Sequence, residues 1–257
     1  MVAMEEDLTV TYIPWRFSQD CPVLPFNEIH LWRMDLNHAY KYDLQKLLSV
    51  DEITRSERFH FSIDRKHFMV ARGLLRLILG RYLNRPPNEL QFLYNAYGKP
   101  ALADQFGGTN LRFNVSHSNG LALYAITTGR EVGVDVEYMR PLLPNDRIGE
   151  QFFSPREITV LHSLPPQGQQ TAFYAGWTRK EAYIKAVGKG LSLDLDQFDV
   201  ELRPHMPAAL LSVKGDPREA ARWTLQEVVP APGYAGAIAA EGDDWQLKCW
   251  QWQDESE

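Results

Sequence analysis

The sequence predicts an α+β fold made of two lobes of similar content within one chain. Two observations carry this. Each half holds a long helical pattern together with several short strand patterns. The 257 residues are 44% hydrophobic and 12% aromatic, enough to bury a large core in one large domain or two small ones. No low-complexity linker divides the halves, and no internal repeat is strict enough to prove a duplication. The expected lobes are residues 1–129 and 130–257.

Taken in order, the first 35 residues are rich in proline and tryptophan around a strand in "EIHLWRMDL", where Ile29, Leu31, the stem of Arg33 and Leu36 roughly alternate. A helix is expected from about Tyr42. In "SVDEITRSERF", Ser49 caps a helix and Glu52 stands three residues on, the two ends of a capping box. Phe68, Ala71, Leu74, Leu75, Ile78, Leu79 and Tyr82 recur at helical spacing, with Arg65, Arg72 and Arg76 on another face. "YNAYGKP" reads as a turn, and "LRFNVSHSNGLALYAIT" as two strands joined at "SHSNG". A strand spans Glu131 to Glu137, followed by a proline-bearing loop through Pro144. "FFSPREITVLHSL" opens a helix, with Ser154 as cap, Pro155 at the first helical position and Glu157 three after the cap. "PPQGQQ" reads as a loop, and "TAFYAGWTRKEAYIKAVGKG" as a long helix stopped by Gly188. The remainder reads as short strands in a meander.

Composition excludes several classes. The two cysteines, Cys21 and Cys249, have no metal-ligand spacing and form no disulfide framework, which fits a reducing cytosol. The acidic start "MVAMEEDLTV" lacks the apolar core of a secretory signal. The most apolar stretch, "FMVARGLLRLILGRYL", is interrupted by Arg72, Gly73, Arg76 and Arg81 and is no membrane span. A net charge of −6 argues against general affinity for nucleic acid. That charge is uneven: residues 1–129 hold 14 Lys+Arg against 13 Asp+Glu, and residues 130–257 hold 13 against 20. Between Arg55 and Arg85, eight basic residues face two acids, a candidate anion site in an acidic protein.

The stretch "GVDVE" sets Asp135 and Glu137 on one strand face, roughly 6.6 Å apart, while Val132, Val134 and Val136 face the other way. Paired carboxylates repel unless a cation or a shared proton neutralises them, and oxygen ligands in a wet cleft suit Mg²⁺ beside phosphates. The plain alternative is an edge strand showing acids to solvent. Glu181 and Lys185, four apart, share a helix face with Phe173 and Trp177, which places them at the boundary of buried surface; the plain alternative is an ordinary surface ion pair. In "FNVSHS", the Ser116 hydroxyl, the His117 imidazole and nearby amides could meet a phosphate, or His117 could merely bond its neighbours. Adjacent Ser and His make a poor nucleophile and base, and no G-x-S-x-G elbow is present.

"YGKP", "FNVSHS", "GVDVE", "FFSPRE" and "WTRKEAYIKAVGKGL" stand in an order and spacing that resemble the phosphopantetheinyl transferase superfamily, in its larger surfactin-synthetase-activating type. The resemblance runs from about Arg55 to Leu193. Its two signatures, G-x-D-x-E and W-x-x-K-E-x-x-x-K, are weak singly and specific together. It implies a pseudo-two-fold pair of α+β lobes with the site at their interface, and a monomer. The implied activity is transfer of the phosphopantetheine arm of coenzyme A to a serine of an apo acyl or peptidyl carrier protein, releasing 3′,5′-ADP, with Mg²⁺ required. It further implies that Asp135, Glu137 and Glu181 hold Mg²⁺ against the pyrophosphate, that Lys185 stabilises or protonates the leaving phosphate, and that Lys180 lies near the same charge. Glu181, or a water on the metal beside it, would be the base. Arg55, Gly98, Lys99, Pro100, Ser116 and His117 match the family's coenzyme A pocket, with the Gly-Lys-Pro turn near the adenine. Arg58, Arg65, Arg72 and Arg76 lack such a match and are open to ordinary salt bridging. Glu157 resembles a metal-site glutamate of the small trimeric members and stays an uncertain extra. The competing readings are a Mg²⁺-dependent phosphoesterase using the same acids and a non-catalytic module binding coenzyme A or carrier protein.

Overall fold

The computed structural model describes residues 14–18, 22–103, 110–141, 152–203 and 206–252. The acidic N-terminus, Cys21 and the loop around Pro144 lie outside them. The fold is mixed α+β. Its elements are β1 (Arg16–Ser18), β2 (Glu28–Asp35), α1 (Val50–Ser56), α2 (Ser62–Leu83), β3 (Phe92–Tyr94), β4 (Pro100–Leu102), β5 (Leu111–Ser118), β6 (Leu121–Thr128), β7 (Val132–Tyr138), α3 (Pro155–Ser163), α4 (Pro166–Val187), β8 (Phe198–Val200), β9 (Leu210–Val213), β10 (Trp223–Val228), β11 (Tyr234–Glu241) and β12 (Gln246–Trp252).

The strands form a five-stranded sheet, ordered β1-β12-β2-β6-β5, a three-stranded sheet, β10-β11-β7, and two small hairpins, β3-β4 and β8-β9. Period-two alternation decides how the layers stack. From β2, Trp32 and Met34 pack with Leu74, Leu75 and Ile78 of α2. Ile29 and Leu31, from the other face of β2, join Leu123 and Ala125 of β6 against Val132, Val134 and Val136 of β7 and Ile238 of β11. On the far side of the three-stranded sheet, Ala182, Tyr183 and Ala186 of α4 pack on Leu225, Ala237 and Ala239. The order is therefore helix, sheet, sheet, helix, with an apolar cluster between the sheets.

Both capping boxes form, Ser49 with Glu52 and Ser154 with Glu157. Gly188 closes α4 in the left-handed conformation, φ 73°. Three expectations change. The segment after Tyr42 forms only a 3-10 turn, Leu44–Leu47. Helix α4 starts at Pro166, so "PPQGQQ" is largely helix: proline at the first turn loses no hydrogen bond that the helix would have made. Finally, a division at 129/130 leaves β12 on the wrong side, because this strand pairs in parallel with β1 and β2 inside the N-terminal sheet.

The basic cluster is partly structural. Arg72 and Arg76 both clamp Glu52, at 2.5 and 2.7 Å, tying α1 to α2, and buried Arg76 also donates to the carbonyls of Pro87 and Leu90. Burial would raise the pKa of Glu52, but the Arg76 hydrogen bond and the Arg72 charge outweigh it and hold the carboxyl below its ordinary value. Arg81 stacks 3.9 Å from the centre of the Trp252 ring. Among the described residues no helix is long and apolar enough to cross a membrane.

Candidate active site

The site grows from a missing side chain. Gly133, Asp135 and Glu137 share the face of β7 that meets α4. A Cβ on Gly133 would lie 2.1 Å from the Ala182 carbonyl oxygen and 2.3 Å from the Ala186 amide nitrogen, so only glycine lets this helix rest directly on the strand. That contact brings Glu181 and Lys185, each one residue before a contact position on α4, to the two strand acids.

Asp135 is 2% exposed. Its Oδ1 accepts from Lys185 Nζ at 2.6 Å and from Ser116 Oγ at 2.8 Å, while Oδ2 is buried without a hydrogen-bond partner. Lys185 Nζ also donates to Ser116 Oγ at 3.0 Å. Glu137 accepts from Ser118 Oγ at 2.9 Å. Burial raises the pKa of Glu137, and the charge of Asp135 raises it further. Burial likewise raises that of Glu181, followed by Asp135; Lys185 opposes the shift and Glu137 adds to it. The three carboxylates thus sit in one electrostatic field with a single ammonium among them.

Among the described residues no group of three or more His, Cys, Asp or Glu side chains is placed to hold a metal ion as the structure stands; Lys185 lies against Asp135 instead. The donor set nonetheless fits a hard divalent cation. It is all oxygen, it carries more negative than positive charge, and it includes a buried carboxylate oxygen with nothing to bind.

The other predicted residues fall in three places. Lys180 is fully buried and points away from Asp135: its Nζ donates to the carbonyls of Leu195 and Phe198, both at 2.6 Å, and pairs with Glu157 at 2.8 Å. The placement near the leaving phosphate is therefore not what the structure shows, for a residue next to Glu181 on a helix is turned about 100° from it. Glu157 belongs to the same interior, accepting also from the amides of Ser154 and Val200 at 2.8 and 2.7 Å. Burial drives both members toward neutrality, Glu157 upward and Lys180 downward in pKa, and each charge opposes the shift of the other.

On the N-terminal side, Arg55 is exposed on α1, its guanidinium 5.7 Å from the centre of the Phe68 ring and 6.0 Å from that of Tyr94. Gly98 turns the β3-β4 hairpin at φ 86°. Lys99 ties that hairpin to the central contact, donating to Glu131 at 2.7 Å and to the Ala186 carbonyl at 2.8 Å. Lys99 and Pro100 line a cavity of about 620 Å³ with Tyr94, Arg112, Glu131 and Gly188. His117 is exposed on β5, and desolvation first, then the charges of Lys185 and His67, lower its pKa.

The structure therefore gathers Ser116, Asp135, Glu137, Glu181 and Lys185, with His117 in the field of Lys185. Sequence reasoning overlooked Asn114 and Ser118. The alternation Asn114, Ser116, Ser118 was the available signal: three polar side chains on one face of a strand.

A trio of acids around one ammonium at a helix–strand contact is the equipment of an enzyme. A family model described as the 4′-phosphopantetheinyl transferase superfamily matches residues 131–239, and one described as 4′-phosphopantetheinyl transferase, N-terminal, matches residues 32–128. The 4′-phosphopantetheinyl transferase HetI of Nostoc sp. is 41% identical over 228 residues, covering 88% of this chain and 93% of that protein. The 4′-phosphopantetheinyl transferase Sfp of Bacillus subtilis is 29% identical over 198 residues, covering 77% and 84%. The L-aminoadipate-semialdehyde dehydrogenase-phosphopantetheinyl transferase of Homo sapiens is 30% identical over 164 residues, covering 60% and 52%. The chain belongs to the 4′-phosphopantetheinyl transferase superfamily.

Proposed function

We propose that this enzyme transfers the 4′-phosphopantetheine arm of coenzyme A to a serine hydroxyl of an apo acyl or peptidyl carrier protein, releasing 3′,5′-ADP, and that it works as a cytosolic monomer. The supporting observation is the convergence of Asp135, Glu137 and Glu181 on one field across the Gly133 contact, with Lys185 Nζ 2.6 Å from Asp135. The three acids would hold Mg²⁺. When bound, the ion would neutralise pyrophosphate charge and stabilise the charge that builds on the transferred phosphoryl oxygens.

The chain's own groups supply the rest. The serine oxygen forms a bond to the β-phosphorus as the bond from that phosphorus to the bridging oxygen breaks. Glu181, or a water beside it, accepts the serine proton. Lys185 donates to the oxygen that leaves with 3′,5′-ADP, where negative charge develops. Arg55 and His117 serve the phosphates, and the Gly98–Lys99–Pro100 turn borders the adenine.

Incubation with coenzyme A, Mg²⁺ and an apo carrier protein, followed by mass spectrometry, should show the added arm. Failure with several carriers, under conditions where Sfp works, would sink the proposal. Cleavage of coenzyme A without an acceptor would favour a phosphoesterase, and binding without turnover a docking module. Glu181→Gln should abolish transfer at an unchanged unfolding midpoint; a wild-type rate would remove Glu181 from its role.

A further inference from the structure

β5 and β7 are edge strands of different sheets. They meet through side chains: Asn114 Oδ1, Ser116 Oγ and Ser118 Oγ accept the amides of Val134, Val136 and Tyr138 at 3.0, 3.3 and 3.1 Å. Each acceptor stands 20 residues before its donor, so the strands run parallel and in step along this polar seam. The two serines do more than the asparagine. A hydroxyl has one proton, and theirs go to the acid preceding the bonded amide: Ser116 to Asp135 at 2.8 Å, Ser118 to Glu137 at 2.9 Å.

From this we infer that Ser118 is a positioning residue that fixes Glu137 for cation binding. The inference rests on the proposed membership of Glu137 in the cation site. Asp135 is held by Lys185 as well as by Ser116, whereas Glu137, a longer side chain with more rotamers to lose, is held by Ser118 from β5. Because Ser118 takes the Tyr138 amide and gives its proton to Glu137, backbone and carboxylate are locked to one atom. Second partners of this kind tune metal affinity by about 10- to 100-fold.

The test measures Mn²⁺ binding by electron paramagnetic resonance in the full chain with coenzyme A, alongside the Mg²⁺ dependence of transfer and urea unfolding. Ser118→Ala should weaken Mn²⁺ binding about 10-fold and raise the half-saturating Mg²⁺ to match, with the maximal rate recovering at high Mg²⁺. Ser118→Cys, a weaker donor of similar shape, should fall between, and Ser118→Thr should restore binding. Asn114→Ala, which removes a seam bond that touches no acid, should shift the unfolding midpoint and leave Mn²⁺ affinity alone. Wild-type Mn²⁺ affinity in folded Ser118→Ala or Ser118→Cys would overturn the inference while leaving the site proposal standing. Absence of Mn²⁺ binding by the wild-type protein would overturn the site proposal itself, and this inference with it.

Discussion

Gly133→Ala probes the contact on which the site is built. The added Cβ would lie 2.1 Å from the Ala182 oxygen, against about 3.4 Å for ordinary contact, and the obstacle is helix backbone rather than a flexible side-chain end. Helix α4 must therefore move off β7 by more than 1 Å, or the strand must buckle. Overpacking of this kind costs about 1–3 kcal/mol of stability. Activity should suffer more, because Glu181 and Lys185 ride on the helix while Asp135 stays on the strand, and a misplacement of about 1 Å costs about 100-fold in rate. Urea unfolding gives the first quantity; the transfer rate at saturating coenzyme A, Mg²⁺ and carrier gives the second. Gly168→Ala is the control: it lies on the same helix with open space around the new methyl, and should stabilise by about 0.5–1 kcal/mol. A Gly133→Ala enzyme folded normally and working within about twofold of wild type would refute the reasoning.

Lys180→Met should destabilise by about 3–5 kcal/mol, since it strands Glu157 as an uncompensated buried acid, and Lys180→Met/Glu157→Gln should recover much of that loss in urea unfolding. A double variant no better than the single would show that the ion pair is not the cause. Between β2 and α2, Trp32 Nε1 donates to Tyr82 Oη at 2.9 Å, which directs the tyrosine proton to His30 Nδ1 at 2.7 Å and leaves His30 Nε2–H for Glu28 at 3.0 Å. Burial, against the pull of Glu28, lowers the His30 pKa from 6.5, so the unfolded chain binds the proton more readily. The stability this neutral imidazole contributes should be full above pH 6.5 and fall away as the pH drops toward the folded-state value. His30→Gln should flatten this acid-side slope, with His117 supplying a residue of it; an unchanged slope would count against the assignment.

The elements that announced themselves in sequence did so through local chemistry. The two capping boxes and the alternation in β2 and β7 depend on neighbours within a few residues, and the four-residue spacing of Glu181 and Lys185 placed both on one helix face. What stayed hidden was decided by distant packing. Pro165 and Pro166 signal a break, yet the same prolines begin α4 comfortably. Lys180 looked like a companion of Lys185 because both are lysines in one motif, but it turns into the core and meets Glu157. Arg72 and Arg76 belong to the basic cluster by count, yet of the two uses open to them it is ordinary salt bridging that the structure shows, with Glu52 occupying both. Sheet order had no local signal at all: β12 reads as one more strand of a meander, and only the full chain shows it seated beside β2.

That seat affects how the molecule can be made. β2 is hydrogen-bonded on one side to β6, available early in synthesis, and on the other to β12, which leaves the ribosome more than 200 residues after β2. Until then Trp32 lacks its stacking partner Trp250, and β2 presents an open edge. The sheet nearest the N-terminus is thus completed last. The five-stranded sheet therefore cannot be expressed or unfolded apart from β12, the strand that completes it.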